Sequence, residues 1–411
     1  MKVLILSQWY PPEPAHLIQE LAQQLQQLGH QVQVLTGFPN YPSGQIAKGY
    51  HLQLWLREQL EGVEVIRTWL YPNHSSSKLK RILNYLSYAF SAALLGPWLA
   101  KRPDVIFVYH PPLTIALPAW ILSCLWHIPF VYQVQDMWPE TLEATGMLTN
   151  QRILEWVARF AQWVYAKAAA IFVISPGFRI NLIAKGVSPE KIHVVSNWVD
   201  VGAFSPQDAN PELASELDLS GKFNIMFAGN MGEAQGLDTV LEAAETLQDL
   251  ADLQFVLVGD GIALPRLQKQ VVEHGLSNVC FLGRYPEASM PELYALADVL
   301  LVHLKDDPLF KITIPHKIFT YMASGKPILA AVAGDAADVV RDVGAGLVCA
   351  PQDAAGLASA VREFYNLPAA ERASMGMRGW QVVHERYSRE SLVKEIEVVL
   401  KNYSRILGYG V

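Results

Sequence analysis

Short apolar runs alternate with longer amphipathic stretches from one end of the chain to the other. Val3–Leu6 is a continuous apolar run, as in a strand covered on both faces. Leu17, Leu21, Leu25 and Leu28 then recur at helical spacing on one face, and Gly29 ends the helix. Gln31-Val32-Gln33-Val34 reads as a second strand, and Val105–Val108, Phe130–Val134, Ile171–Ile174 and His193–Val195 continue the sheet. A second series comprises Ile225–Ala228, Phe255–Val258, Val279–Leu282, Val299–Val302, Ile328–Val332 and Leu347–Cys349, with helices such as Leu237–Leu247 between. Strands alternating with helices predict parallel sheets joined by right-handed crossovers. The expected fold class is α/β: two Rossmann-like, doubly wound domains facing a central cleft, with ligands at the carboxyl ends of the strands.

At about 150 residues per domain, 411 residues allow two or three domains. Ten of the eleven tryptophans precede residue 200, and the second half is richer in Ala, Asp and Gly. That shift places a first domain over 1–202 and a second over 203–384, with the polar, proline-containing segment Phe204–Pro211 as linker. Hydrophobic residues make up 51% and charged residues 17% of the chain, which excludes disorder. With 32 Lys and Arg against 39 Asp and Glu, no cationic excess supports a nucleic-acid partner. Cys124, Cys280 and Cys349 are odd in number and far apart, so neither a disulfide framework nor a zinc site is expected. A reducing compartment fits. The N-terminal apolar run is too short for a signal-peptide core, which points to a cytoplasmic protein.

One stretch bears on membranes. Ile82–Ala100 carries no charge and is flanked by Lys78, Lys80 and Arg81 on one side and Lys101 and Arg102 on the other. A spanning helix needs about 20 mostly apolar residues. Asn84, Ser87 and Ser91 interrupt this one, and Gly96-Pro97 is expected to break it near its end. Pro112–Ile128, with Pro118 inside, is a second apolar stretch. The expectation is a helix lying in the membrane interface with its cations on acidic head groups, against the alternative of ordinary buried domain helices.

In an open α/β domain the residues just after each strand carry the chemistry. Gly229-Asn230-Met231-Gly232 leaves the first strand of the second series, and Gly259-Asp260-Gly261 the second. Glycines there let a backbone approach a phosphate, and a helix N-terminus adds positive potential. There is no GxGxxG and no acidic residue about 20 positions on, so a nicotinamide cofactor is not expected. Lys305, Lys311 and Lys317 lie at six-residue intervals, and Lys317 falls in the first turn of a helix that Pro315 starts. Cations and free N–H groups in that place suit a diphosphate; solvated loop lysines are the plain alternative.

Pro315-His-Lys317-Ile-Phe-Thr320-Tyr-Met-Ala-Ser-Gly325-Lys-Pro327 resembles the P-S-K-x-x-E-Y-M-A-x-G-K-P stretch of family 4 retaining glycosyltransferases of GT-B fold. Val195-Ser-Asn197-Trp-Val-Asp200, Val258-Gly-Asp-Gly261, Phe281-Leu-Gly283 and Leu293-Tyr-Ala-Leu-Ala-Asp298 follow the family's order. Tyr10-Pro-Pro-Glu13, Gly29-His-Gln-Val32, Thr36-Gly-Phe-Pro-Asn40-Tyr-Pro42 and Gln135-Asp-Met-Trp-Pro-Glu140 resemble the colanic acid and N-acetyl-fucosamine transferase subgroup of surface-polysaccharide synthesis. The resemblance implies a nucleotide-sugar donor, most simply a UDP-sugar, held in the second domain. Its diphosphate would rest on Gly229, Asn230, Met231 and Gly232 and on the Lys311–Lys317 loop. N–H groups of Thr313 and Ile314 would cap the β-phosphate, and Arg284 and Tyr285 would flank the base near Gly259 and Gly261. It also implies retention by front-face displacement without metal or cofactor, a lipid-linked saccharide acceptor in the first domain, and a C-terminal helix, within 385–411 and centred on Ser391–Asn402, packing back on that domain. The expected site is the inner face of the plasma membrane, reached peripherally. The family's E-x7-E carboxylates fall on Ile312 and Thr320 and are missing, and its usual Arg and Lys after the first strand are Asn230 and Gln235.

Asp136 follows a strand and can orient or deprotonate the acceptor, or merely cap a turn. Glu13 is a second catalytic candidate or a solvated loop carboxylate, and Lys317 is the third, for the leaving diphosphate. His16, Tyr41 and His110 are candidates for acceptor or phosphate contact, each with a packing role as the alternative. Two other functions stay open: a GT-B-type UDP-N-acetylglucosamine 2-epimerase and a non-catalytic transferase-like subunit.

Overall fold

The computed structural model describes residues 1–74, 77–144 and 147–406, and the chain divides into two units, Met1–Asn197 with the segment from Arg389, and Trp198–Ser388. The segment 204–211, linker-like in composition, lies inside the second unit: Phe204 is buried and stacks on Tyr294 at 6.1 Å.

The first unit is an eight-stranded sheet. Its strands are β1 (Lys2–Leu6), β2 (Gln31–Gly37), β3 (Trp55–Leu60), β4 (Val63–Thr68), β5 (Val105–Tyr109), β6 (Phe130–Val134), β7 (Ala170–Val173) and β8 (Ile192–Val194), in the order β3-β4-β2-β1-β5-β6-β7-β8. All neighbours are parallel except β3 and β4. That hairpin closes through Glu61 (φ 47°) and Gly62 (φ 85°), two left-handed residues in a two-residue turn whose twist matches the strands. β6 and β7 are buried along their whole length, the consequence of helices on both faces.

Helix α1 (His16–Gln27) lies against the C-terminal helix Arg389–Ile406, where His30 Nε2 is 2.6 Å from Glu397 Oε1. Residues 407–411 lie outside the described residues. Helix α2 (Lys78–Leu99) packs on α3 (Ala116–Trp126) and on β2 and β4. Contrary to expectation Gly96-Pro97 does not end α2; Pro97 is accommodated in its last turn, with the helix closing at Leu99. Gly96 has a packing reason, since a Cβ there would press on Leu35 and Leu122. Ser87 and Ser91 turn inward as well, Ser87 Oγ accepting from Tyr71 N at 2.8 Å.

The second unit is a six-stranded parallel sheet: β9 (Phe223–Ala228), β10 (Leu253–Val258), β11 (Val279–Gly283), β12 (Val299–His303), β13 (Ile328–Ala331) and β14 (Gly346–Cys349), in the order β11-β10-β9-β12-β13-β14. The chain winds one way from β9 through β11 and the other way from β12. The switch point therefore falls between β9 and β12, where ligands bind in open sheets. Apolar residues fill both faces: Met226, Val256 and Leu300 belong to one cluster, Ile225, Phe255 and Leu301 to the other.

Loops at the carboxyl ends of β1 and β2 are tied by a buried carboxylate. Glu13 is 3% exposed. Its Oε1 accepts from the N–H groups of Asn40 (2.9 Å) and Tyr41 (2.8 Å), and its Oε2 from that of Tyr10 (3.1 Å). Burial pushes the Glu13 carboxyl up to about 7, against the N–H bonds and Arg67, which pull it down. Arg67, itself fully buried, pairs with Glu58 at 2.5 Å and bonds the carbonyls of Gly37 and Pro11. Glu13 is thus a buried staple between loops rather than a solvated loop carboxylate. Replacing it with alanine leaves three N–H groups without an acceptor and should lower the stability of the first unit by about 3 kcal/mol in urea unfolding; an unchanged midpoint would refute the staple.

Candidate functional site

The carboxyl ends of β9 and β10 are glycine turns that interlock. Gly229 N donates to Val258 O (2.9 Å) and Met231 N to Asp260 O (2.8 Å), while Gly259 N donates to Gly283 O (2.7 Å). A Cβ on Gly259 would collide with the Gly229 carbonyl, and one on Gly261 with Met231 O. These glycines are required first by the close crossing of two backbones. The result is an open cavity of about 560 Å³, lined by Gly229, Asn230, Gly259 and Gly261 together with Arg284 and Tyr285. Six residues expected to meet a nucleotide are thus brought together. Glu287, Met290 and Tyr294, not singled out from sequence, complete the wall.

The other residues expected to meet the donor do not line this cavity. Met231 is fully buried in the core, a consequence of its N–H and carbonyl both being held by the neighbouring turn. Gly232 N donates to Gln235 Oε1 at 3.1 Å, closing its own turn. Lys311 Nζ is paired with Asp306 Oδ1 at 2.8 Å. The Thr313 hydroxyl donates to Leu309 O at 2.8 Å and its N–H to Phe310 O at 3.4 Å, and the Ile314 side chain is part of the apolar core, which does not bear on the phosphate cap expected from its N–H. Thr320, at a position where the family carries a carboxylate, is buried and bonds the Lys317 carbonyl at 3.0 Å.

Lys317 is different. The helix His316–Ala323 begins right after Pro315, and side chains on a helix lean toward its N-terminus. Its ammonium sits 3.9 Å over the Phe227 ring and about 3.0 Å from where a Cβ of Gly229 would lie. No carboxylate pairs with it among the described residues, and burial alone drives the amine down to about 7. A buried amine with no carboxylate beside it, next to glycine turns and a helix N-terminus, has the chemistry that suits an anion.

Two residues that frame this site escaped the sequence reading. Tyr321 accepts from Ala228 N (2.9 Å) and donates to Ala228 O (3.2 Å), fixing the end of β9. His303, the last residue of β12, has Nδ1 2.6 Å from the Gln235 carbonyl, so the proton sits on Nδ1 and holds the β9 loop. The rule that singled out Asp136, a polar residue at the end of an apolar strand, applies equally to His303.

In the first unit Asp136 is half-buried after β6, and burial raises its carboxyl above the usual aspartate range. Gln135 beside it exchanges two 2.9 Å amide hydrogen bonds with Asn197. His16 is exposed at the first turn of α1. Tyr41 is half-buried, 5.0 Å from Trp9 ring to ring. His110 corrects an expectation: it is fully buried, its ring nitrogens have no partner among the described residues, and burial lowers it to about 3. A neutral, enclosed imidazole offers no charge to a phosphate. Among the described residues no three His, Cys, Asp or Glu side chains gather as metal ligands.

Comparison with known proteins agrees with this geometry. Residues 14–198 match the glycosyl transferase 4-like domain and residues 222–366 the glycosyl transferases group 1 domain. A protein named as the colanic acid biosynthesis glycosyl transferase WcaI, of Escherichia coli strain K12, is 30% identical over 338 residues, covering 79% of this chain and 82% of that one. The chain is a GT-B glycosyltransferase of the family 4 type. Solved structures bear out the fold: sucrose-phosphate synthase from Thermosynechococcus elongatus (TM-score 0.76, 16% identity, 98% of each chain) and HepE from Anabaena in complex with UDP (TM-score 0.72, 18% identity, 98% and 100%). At such identities the likeness is one of fold.

The interlocking turns of this transferase separate two glycine effects. Gly259→Ala should cost about 3 kcal/mol or more, because a carbonyl occupies the space. Gly283→Ala, at φ 75° in open space, should cost about 1 kcal/mol of backbone strain. Thermal unfolding of the two variants checks this; equal shifts would contradict the crossing as the reason.

Proposed function

We propose that the transferase takes a sugar from a nucleotide-sugar donor, a UDP-sugar in the first instance, and passes it to a lipid-linked saccharide in surface-polysaccharide biosynthesis. The observation that carries the donor half is the unpaired Lys317 ammonium beside the glycine-lined cavity. Negative charge develops on the diphosphate as the glycosidic bond breaks, and a fixed cation with helix N–H groups stabilises it without a metal ion. The base and ribose would lie along Arg284 and Tyr285. HepE, of the same fold, has structures with UDP and with UDP-glucose, which supports the nucleotide. The name of the colanic acid relative supports the pathway. Transfer with retention follows from front-face displacement, in which the donor phosphate accepts the proton of the attacking hydroxyl and the chain contributes positioning. Asp136 is the group we assign to orienting that hydroxyl.

The acceptor half rests on α2. Among the described residues no helix is long and apolar enough to cross a membrane. Yet every exposed residue of α2 from Ile82 to Trp98 is apolar: Ile82, Leu83, Leu86, Phe90, Leu94 and Trp98, the last 86% exposed. Tyr88, in contrast, is core, its hydroxyl donating to Leu35 O at 2.9 Å. An outward stripe without a polar residue, flanked by Lys80, Arg81, Lys101 and Arg102, fits a helix lying in the interface of an acidic bilayer. We place the enzyme at the cytoplasmic face of the plasma membrane on this ground.

Incubation with UDP-sugars and a lipid-linked acceptor tests the whole: transfer with retained anomeric configuration, insensitive to EDTA, is expected. Epimerisation of UDP-N-acetylglucosamine without acceptor would replace it with the isomerase, and failure to bind any nucleotide with a non-catalytic subunit. Lys317→Ala should lower kcat about 100-fold. The amine is charged below about 7 and loses its proton above, so UDP affinity should fall from pH 7 to pH 9 in the wild type and be flat in Lys317→Ala. Phe90→Ser with Trp98→Ser should weaken binding to phosphatidylglycerol vesicles at least tenfold; unchanged binding would make the stripe irrelevant to membranes.

A further inference from the structure

Four half-buried rings gather at the carboxyl edge of the first unit's sheet. Trp9 follows β1, Tyr41 follows β2, His74 precedes α2 and Tyr85 lies on α2. Ring centroids are 5.0 Å apart for Trp9 and Tyr41, 6.4 Å for Trp9 and Tyr85, and 4.7 Å for Tyr41 and His74. The cluster is fixed from below. Gln8 donates to Asn84 (2.6 Å), Asn84 donates to Asn40 (3.1 Å), and Glu13 accepts from the N–H groups of Asn40 and Tyr41 in the loop after β2. Gly44, at φ 75°, lets that loop press against the backbone of Asn73 and His74. Pre-set aromatic faces over a polar floor are how proteins take the apolar face of a pyranose while its hydroxyls stay wet.

A cation and an apolar track adjoin the rings on the same helix. Arg81 lies one turn before Tyr85, at i and i+4, and its charge acts on both Tyr85 and His74. No carboxylate pairs with Arg81 among the described residues, and a guanidinium is the side chain best shaped for phosphate oxygens. Ile82, at i−3 from Tyr85, begins the apolar stripe that runs to Trp98.

Rings, cation and stripe meet at the N-terminal end of α2, and a sugar joined through phosphate to a long hydrocarbon offers a partner to each. We propose that Trp9, Tyr41, His74 and Tyr85 form the subsite for the membrane-proximal pyranose of a polyprenyl-phosphate-linked acceptor, with Arg81 on the phosphate and the α2 stripe toward the lipid. The proposal rests on the reading of a lipid-linked acceptor and adds which sugar is read: the one next to the lipid, within a helical turn of the bilayer surface.

The test uses the full chain and two probes. With n-octyl β-D-glucopyranoside below its micelle concentration, saturation-transfer NMR should show transfer to the sugar-ring protons in the wild type. That transfer should fall at least fivefold in Trp9→Ala and Tyr41→Ala and be restored in Tyr41→Phe, with circular dichroism confirming folded samples. Geranylgeranyl diphosphate should bind about tenfold more weakly to Arg81→Gln, whose sugar signal persists. Sugar transfer that survives Trp9→Ala and Tyr41→Ala together, or diphosphate binding indifferent to Arg81→Gln, would overturn the assignment. UDP titrated into the same wild-type sample reads the donor site separately: its failure to bind would sink the donor reading while leaving the acceptor result to stand by itself.

Discussion

An ammonium kept from water with no carboxylate beside it sets the terms for the proposed donor site. Removing a cation from solvent is costly unless an anion meets it, and a lysine so placed gives up part of its basicity instead. Lys317 is held there by features that serve the fold. Pro315 starts its helix, Phe227 supplies the ring beneath it, and Tyr321, on the same helix, locks the end of β9 through Ala228. The glycine turns of β9 and β10 leave the space open because their crossing admits no side chain.

The first unit carries the opposite problem, apolar surface without cover. α2 buries Tyr88, Ala89, Ala92 and Gly96 against the sheet and α3, which accounts for one face of an uncharged stretch. Its other face is apolar too, and contiguous exposed apolar surface of this kind marks an interaction site in soluble proteins. Tryptophan follows the same division. Trp198 is core, while Trp55, Trp69, Trp98 and Trp156 are exposed. Amphipathic rings of that kind are at home at a membrane surface. The buried Glu13 and Arg67 lie under the loops that this surface adjoins, so their charges organise a region whose outside is largely apolar.

Much of the architecture was legible because double-sided burial writes itself as apolar runs: β1, β5, β6 and β7 in the first unit, and β9, β10, β12 and β13 in the second. The β3–β4 hairpin was not, because Glu61-Gly62 lacks the Asn-Gly or Asp-Gly signal and its strands alternate with charged residues. Of the site, the glycine turns were legible from position after a strand, and Arg284 and Tyr285 only from the family resemblance. Lys311 was not separable from Lys317 by spacing; only the structure shows that Asp306 takes one charge and leaves the other. The burial of Glu13 and His110 was not legible for one reason: sequence gives the end of a strand but not whether the next loop folds inward. The aromatic cluster draws on four separate segments, and no local pattern joins Trp9 to His74.

Proton linkage is the sharpest probe of Lys317. If the ammonium is partly deprotonated in the free protein and paired with a diphosphate in the complex, binding must raise its proton affinity. Titration of UDP at pH 8 in two buffers of different ionisation enthalpy measures the protons taken up. Uptake approaching one proton per UDP in the wild type, and none in Lys317→Ala, is the expected result. UDP binding with no proton uptake in either protein would show that the diphosphate does not meet Lys317.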